Sequence, residues 1–418
     1  MPDARQYETF YGWRVVAAAF VLAMFGLGMG FHGPPIYLHA VRETRGWSLP
    51  LVSTAITVHF LVGAAVTACL PAFHRRFGIA RTTKVGALAL ALGVLGWATV
   101  VSPWQLFVAA LLSGAGWVTM GVAAINAIVS PWFVRARPAA LAMAYNGANI
   151  GGVVFAPLWA VAIGQVGFPA AAAMIGAAMV LVIWILADRV FSRTPEGMGM
   201  APDGDVAGAA AAPNASSSPR PLPGSQLWHD AKFQTLAAAM ALGLFAQIGV
   251  IAHLYSLMVP ALGARDAGLA MALVPAMAVA GRTCIGWLLP AAADRRLVAS
   301  ASYAVQIAAS VVFIAGAGVD TAALLLGVVL FGLAFGNGTW LPPLIAQTEF
   351  AKEDVPRVVA LIVAMAQAAY AFAPAVFGLV REVAPRSEAH PGDAPYLFVL
   401  AALAQGLAIA AFLVGRRK

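Results

Sequence analysis

Twelve apolar runs, each long enough to cross a bilayer as a helix, limit this chain more than any other feature of its sequence. They lie near residues 14–40, 50–73, 82–101, 104–131, 139–165, 168–191, 233–259, 267–290, 298–317, 321–346, 357–380 and 395–414. Hydrocarbon offers no partner to a backbone N–H or C=O, so a segment buried in it must pair its own groups as a helix or join a closed barrel. None of the runs alternates like a barrel strand, and the spans are read as helices. Hydrophobic residues make up 61% of the chain and charged ones 10%, with a mean hydropathy of +0.85. A soluble domain carries about 25% charged residues. The sequence therefore predicts an all-α integral membrane protein.

Between Ser192 and Ala231 the apolar pattern stops for a stretch with six prolines and the run Ser216-Ser217-Ser218. Such a composition cannot bury enough apolar surface to fold alone. It divides the spans six and six, which predicts an N-terminal tail over 1–11, a six-helix bundle over 12–191, a flexible linker over 192–231, a second bundle over 232–414 and a tail over 415–418. Equal halves on a long linker are what two parallel six-helix repeats produce, the arrangement of the major facilitator architecture. Each chain would house a complete pathway and function as a monomer.

Lys and Arg in short loops are retained on the cytoplasmic side. Placing both termini in the cytoplasm of a cell-membrane protein puts nineteen of the twenty-five Lys and Arg there, among them Arg75, Arg76, Arg81, Lys84, Arg135, Arg137, Arg295 and Arg296. Five fall outside, Arg42, Arg45, Arg265, Arg381 and Arg386, and Arg282 is the remainder. The net charge of +8 is then topology plus affinity for anionic lipid headgroups, and it calls for no nucleic-acid partner. Cys69 and Cys284 sit in different halves, which suggests neither a disulfide framework nor a metal cluster. No phosphate-cradling loop, zinc-ligand spacing or nucleophile triad is present, so the sequence points away from enzymes, and no cofactor is expected.

Arg282 lies about fifteen residues from one end and eight from the other of its apolar stretch, near the middle of the hydrocarbon layer. A guanidinium there costs a few kcal/mol and is normally kept for a water-filled path, an ion partner or an anionic ligand. No acid stands within two turns of it in the sequence. Its partner is expected from outside, as a substrate carboxylate.

Three local patterns resemble a named family. Tyr11-Gly12-Trp13-Arg14-Val15-Val16 resembles the first-helix entry of the monocarboxylate transporters, and Trp132-Phe133-Val134-Arg135-Ala136-Arg137, continuing through Ala140, Ala142 and Gly147, resembles their second signature. Gly281-Arg282 is similar to the family's helix 8 arginine, which holds the substrate carboxylate there. The related oxalate/formate exchangers belong to the same group. The resemblance implies a twelve-helix secondary transporter of organic anions. The chain also departs from the pattern: Phe31, next to His32, stands where animal members carry a first-helix lysine, Ala278 stands at the helix 8 acid, and the span from Val358 to Val380 lacks the exchangers' lysine.

No Asp or Glu lies in the interior of a span, which leaves histidine as the side chain titrating near neutral pH. His32, His253 and His59 are the candidates for proton coupling, since a carboxylate bound beside an imidazole favours its protonated form. Each is also a candidate for an ordinary interhelical hydrogen bond. Polar groups that would complete a substrate pocket are Trp117, Thr119, Asn126, Tyr145, Asn146, Asn337, Gln367 and Tyr370. The loop Pro71-Ala72-Phe73-His74-Arg75-Arg76-Phe77-Gly78 resembles a degenerate gating loop of the superfamily, with Asp294-Arg295-Arg296 as its counterpart in the second half. Glycines at Gly147/Gly151 and Gly332/Gly336 make close-packing faces, and Pro34-Pro35, Pro275, Pro342-Pro343 and Pro374 are expected to interrupt or kink their spans.

The function expected is alternating-access transport of a small organic anion, a monocarboxylate, with proton coupling through histidine. The alternatives are export of an amphipathic drug or metabolite and, from another class, a ligand sensor that moves nothing.

Overall fold

The computed structural model describes residues 10–204, 224–288, 293–351, 354–383 and 392–416. Ser216-Ser217-Ser218 and the basic residues Arg5, Arg220, Lys352, Arg386, Arg417 and Lys418 lie outside these. Eleven apolar helical segments of spanning length are present among the described residues. The longest, Ala231–Leu288, turns a corner at Gly263 (φ 75°, ψ 164°), and counting it as two gives twelve spans.

In chain order these are α1 (Tyr11–Arg45), α2 (Leu49–Phe77), α3 (Ile79–Thr99), α4 (Pro103–Trp132), α5 (Ala139–Val166, its helix beginning at Arg137) and α6 (Phe168–Phe191). The second half is α7 (231–262), α8 (264–288), α9 (Arg295–Ala315), α10 (Thr321–Glu349), α11 (Val355–Val383, broken near its middle) and α12 (Pro395–Arg416). Three hairpins, α2–α3, α5–α6 and α7–α8, turn on a single residue, Gly78, Gly167 and Gly263, with φ between 75° and 81°. That region is strained for any residue with a Cβ, so glycine is required there.

Several spans are broken rather than straight. α1 stops at Gly30 and restarts at Pro34, α4 tightens into a 3₁₀ turn over Val118–Met120, α10 breaks at Gly336 and α11 at Phe372. Two of the breaks fall just before the expected prolines, Pro34-Pro35 and Pro374. Pro275 and Pro342-Pro343 instead remain inside helix, and the break in α10 falls at Gly336, six residues before Pro342.

Within each half, close approach is bought by glycine. A Cβ at Gly147 would lie 2.0 Å from the Phe20 carbonyl oxygen, and one at Gly281 would lie 1.8 Å from that of Leu333. These contacts seat α5 on α1 and α8 on α10. The segment expected to be a flexible linker makes contacts with both halves at its described ends. Residues 193–204 lie under the first half, with Asp203 accepting hydrogen bonds from the backbone N–H groups of Val134, Arg135 and Ala136 (3.1, 2.8 and 3.2 Å). Leu227, on a short helix over Gly224–His229, is buried against the second half with Phe233 and Leu236.

Candidate functional site

The two halves meet on the face away from the termini. Gly268 of α8 packs on Ala156 and Ala160 of α5, Ser53 of α2 on Gly378 of α11, and His39 of α1 stands edge-on to Tyr255 of α7 with ring centroids 5.4 Å apart. The Thr57 hydroxyl of α2 accepts from the backbone N–H of Ala375 in α11 at 3.1 Å. Following the same helix faces toward the terminal side, burial gives way to exposure. On α8, Gly268, Met271 and Pro275 are buried while Val279 is 40% exposed. On α11, Tyr370 touches Phe60 of the other half, whereas Val363 is 41% exposed. The halves are therefore splayed toward the terminal face, with a cleft between them.

Arg282 sits on the α8 stripe that borders this cleft. It is seven residues from Pro275, about 20° short of two full turns, so it continues the stripe of α8 that faces α5. Its side chain reaches back to the break in α10, where one terminal nitrogen lies 3.5 Å from the Gly336 carbonyl oxygen. That is a long contact, at the limit of a hydrogen bond. The Nε is buried without a partner, and no acid pairs with the guanidinium among the described residues.

Other expected pocket residues divide sharply. On the first half, Tyr145 sits on the cleft-facing stripe of α5, and its hydroxyl lies within reach of Asn126 and 3.4 Å from the Val122 carbonyl oxygen. Asn126 also takes the Ser130 hydroxyl at 2.5 Å. Asn146 is exposed and stands about 100° round the helix from Tyr145, off that stripe. On the second half, Gln367 and Tyr370 are both half-buried, and Gln367 lies within hydrogen-bonding reach of the Tyr370 hydroxyl. Two expectations are corrected. Thr119 donates to the Gly116 carbonyl oxygen (2.7 Å) and packs on Gly86 of α3, inside its own half. Asn337 points to Ser302 of α9 (3.2 Å), away from the cleft.

At the deep end of the cleft the breaks bring aromatic rings together. Phe60 contacts Phe31 (6.0 Å), Trp117 (6.1 Å) and, across the divide, Tyr370 (5.9 Å). Phe31 occupies the break in α1 and Trp117 the end of the first segment of α4. The sequence reading had no means of grouping them, because the four rings come from α1, α2, α4 and α11 with no spacing in common.

The histidines separate into braces and one exception. His59 places Nε2 2.8 Å from the Gly30 carbonyl oxygen and Nδ1 2.9 Å from the Ser113 hydroxyl, which also accepts from the Trp97 indole N–H at 3.1 Å. With Nε2 donating, the ring is satisfied as a neutral brace between α1, α2 and α4. His253 Nε2 lies 3.1 Å from the Pro374 carbonyl oxygen and ties α7 to the break in α11. His32 makes no hydrogen bond among the described residues; it lies against Gly152 of α5 near Pro275 of α8, where the halves meet.

The two segments expected to form gating loops differ in their contacts. Arg75 and Arg76 are exposed in the last turn of α2, which remains helical through Phe77 where a loop was expected, and Arg76 lies over the Phe77 ring at 5.3 Å. Gly78 forms the corner. The counterpart is a brace inside the second half: Asp294 caps α9 at the N–H groups of Arg296 and Leu297 and pairs with Arg416, while Arg295 donates to Leu344 (3.2 Å). Arg296 is 1% exposed and grips both oxygens of Glu349 at 2.7 and 2.8 Å, with further bonds to Thr235 and Lys232.

Comparison with protein families matches residues 18–374 to the Major Facilitator Superfamily. Among solved structures, the nucleoside transporter NupG superposes with a TM-score of 0.74 at 14% identity, covering 98% of this chain and 99% of that one. A bacterial homologue of the human lysosomal transporter Spinster, in an inward-facing and unoccupied conformation, gives 0.73 at 14% identity with 98% of each chain covered. Comparison with curated protein sequences finds no match.

Proposed function

This chain belongs to the major facilitator superfamily and is a transporter, and from that premise we propose that its cargo is a small organic anion, a monocarboxylate, held by Arg282. The observation that carries this reading is the guanidinium itself. It is carried on the α8 stripe that borders the cleft, one nitrogen is orphaned, another has a single long contact to a neutral carbonyl, and no acid accompanies it among the described residues. A travelling carboxylate supplies the missing charge and, through its two oxygens, the bidentate geometry that suits an arginine. A nucleoside, the cargo named for one structural relative, brings no charge to offset it.

With the termini assigned to the cytoplasm on the distribution of basic loops, the cleft opens inward. Closing it around a neutralised pair costs less than closing it around a bare cation, which is how substrate would license the alternating step. His32 is the residue placed to carry a proton, since its ring nitrogens are uncommitted and it borders α8 one turn before the level of Ala278.

Reconstituted protein tests the reading. Arg282→Ala should abolish monocarboxylate uptake into vesicles while the purified variant stays folded, and Arg282→Lys should retain charge yet lose most of the affinity. His32→Gln should flatten the dependence of uptake on pH. Wild-type protein that ignores lactate, pyruvate and larger monocarboxylates alike would overturn the cargo assignment.

A further inference from the structure

We propose that the carboxylate carries an aromatic or similarly broad apolar body, which docks on the rings closing the deep end of the cleft; this rests on the anion reading above. Phe60 is buried at the hub, and the half-buried Phe31 and Tyr370 flank it from opposite halves. Their partners are fixed by geometry: Phe60 stands edge-on to Tyr370 at 87°, and Gln367 occupies the polar end of that tyrosine, leaving its ring as the contact.

Along α8 the cap and the cation stand at neighbouring levels. His32, next to Phe31, lies at the level of Pro275, because both meet the same point above Gly152. The Arg282 guanidinium lies beside Gly336, which packs on Ala278. From Pro275 to Ala278 is about 5 Å along the helix. An acetate or lactate held at Arg282 offers the rings at most a methyl group and covers little of their apolar area. A ring carried one or two carbons from the carboxylate covers far more of it, and offset or edge-on aromatic packing adds to that gain. The arrangement therefore selects amphipathic acids over both small acids and uncharged aromatics.

Thermal stabilisation of the purified full-length protein, together with counterflow in vesicles, separates the possibilities. The probes are acetate, lactate, phenylacetate, 3-phenylpropanoate and the uncharged 2-phenylethanol. The aryl acids should act at concentrations at least tenfold lower than acetate or lactate. Tyr370→Leu and, independently, Phe31→Leu should shrink that ratio, whereas Arg282→Lys should weaken every acid. Equal potency of lactate and the aryl acids would overturn the ring-docking proposal and leave the anion reading standing. Equal potency of 2-phenylethanol and phenylacetate would instead remove the carboxylate anchor, and silence from all five probes would defeat both.

Discussion

At the scale of single residues, contact decides what composition leaves open. Gly281 and Gly406 are both helical glycines in apolar spans, yet a Cβ at Gly281 meets backbone 1.8 Å away and one at Gly406 meets nothing within 4 Å. Gly281→Ala should destabilise the detergent-solubilised protein by about 2–3 kcal/mol, whereas Gly406→Ala should be neutral or stabilise it by up to about 1 kcal/mol; thermal unfolding distinguishes them. Arg296→Met leaves Glu349 without its bidentate partner and should cost about 3 kcal/mol by the same assay. Arg282 could be singled out from sequence because a charge in a long apolar run is conspicuous wherever it points. Thr119 and Asn337 could not be placed, since a short polar side chain in a span serves a neighbouring helix or a pathway according to a rotation of the helix that periodicity does not fix. Arg296 was hidden for the opposite reason: a basic residue at a loop looks like topology until Glu349, fifty-three positions away, is seen in its grip.

At the scale of elements, run length located the spans and proline located some of their breaks. The breaks before Pro34 and Pro374 follow from the missing N–H and the restricted residue preceding each ring. The one at Gly336 follows from glycine, and a reader of prolines alone would put it six residues late. The linker shows a similar limit. Its composition resists folding by itself, but Asp203 finds three N–H donors on the first half, an arrangement that depends on the shape of the α4–α5 turn. Burial of that carboxylate pushes its pKa up, but the three N–H groups and Arg135 outweigh this and hold it below the ordinary value. A depressed carboxylate contributes its stabilisation above the unfolded pKa of about 4 and loses it as pH falls through the lower folded value. Protease cleavage near residue 204 should therefore accelerate on strong acidification, and Asp203→Asn should show the faster cleavage already at neutral pH.

At the scale of the whole molecule, six and six spans about a polar interruption were enough to give the architecture, while the conformation was beyond reach because both states of an alternating carrier satisfy the same sequence. Here the seal is on the far face. Single cysteines in a background lacking Cys69 and Cys284 should report it: Val279→Cys, five sixths of a turn from Arg282 and open to the cleft, should react readily with a water-soluble thiol reagent. Ser53→Cys, at 0% exposure against Gly378, should resist. The weak tie between Arg282 and the Gly336 oxygen has a kinetic corollary. On the anion reading, an unloaded protein reorients with its cation matched only by a neutral dipole at long range, while in a loaded one the bound carboxylate offsets that cation. Swapping one acid for another across the membrane should consequently outrun net movement of either, and the return of the vacant form should set the pace whenever the opposite compartment is free of acid.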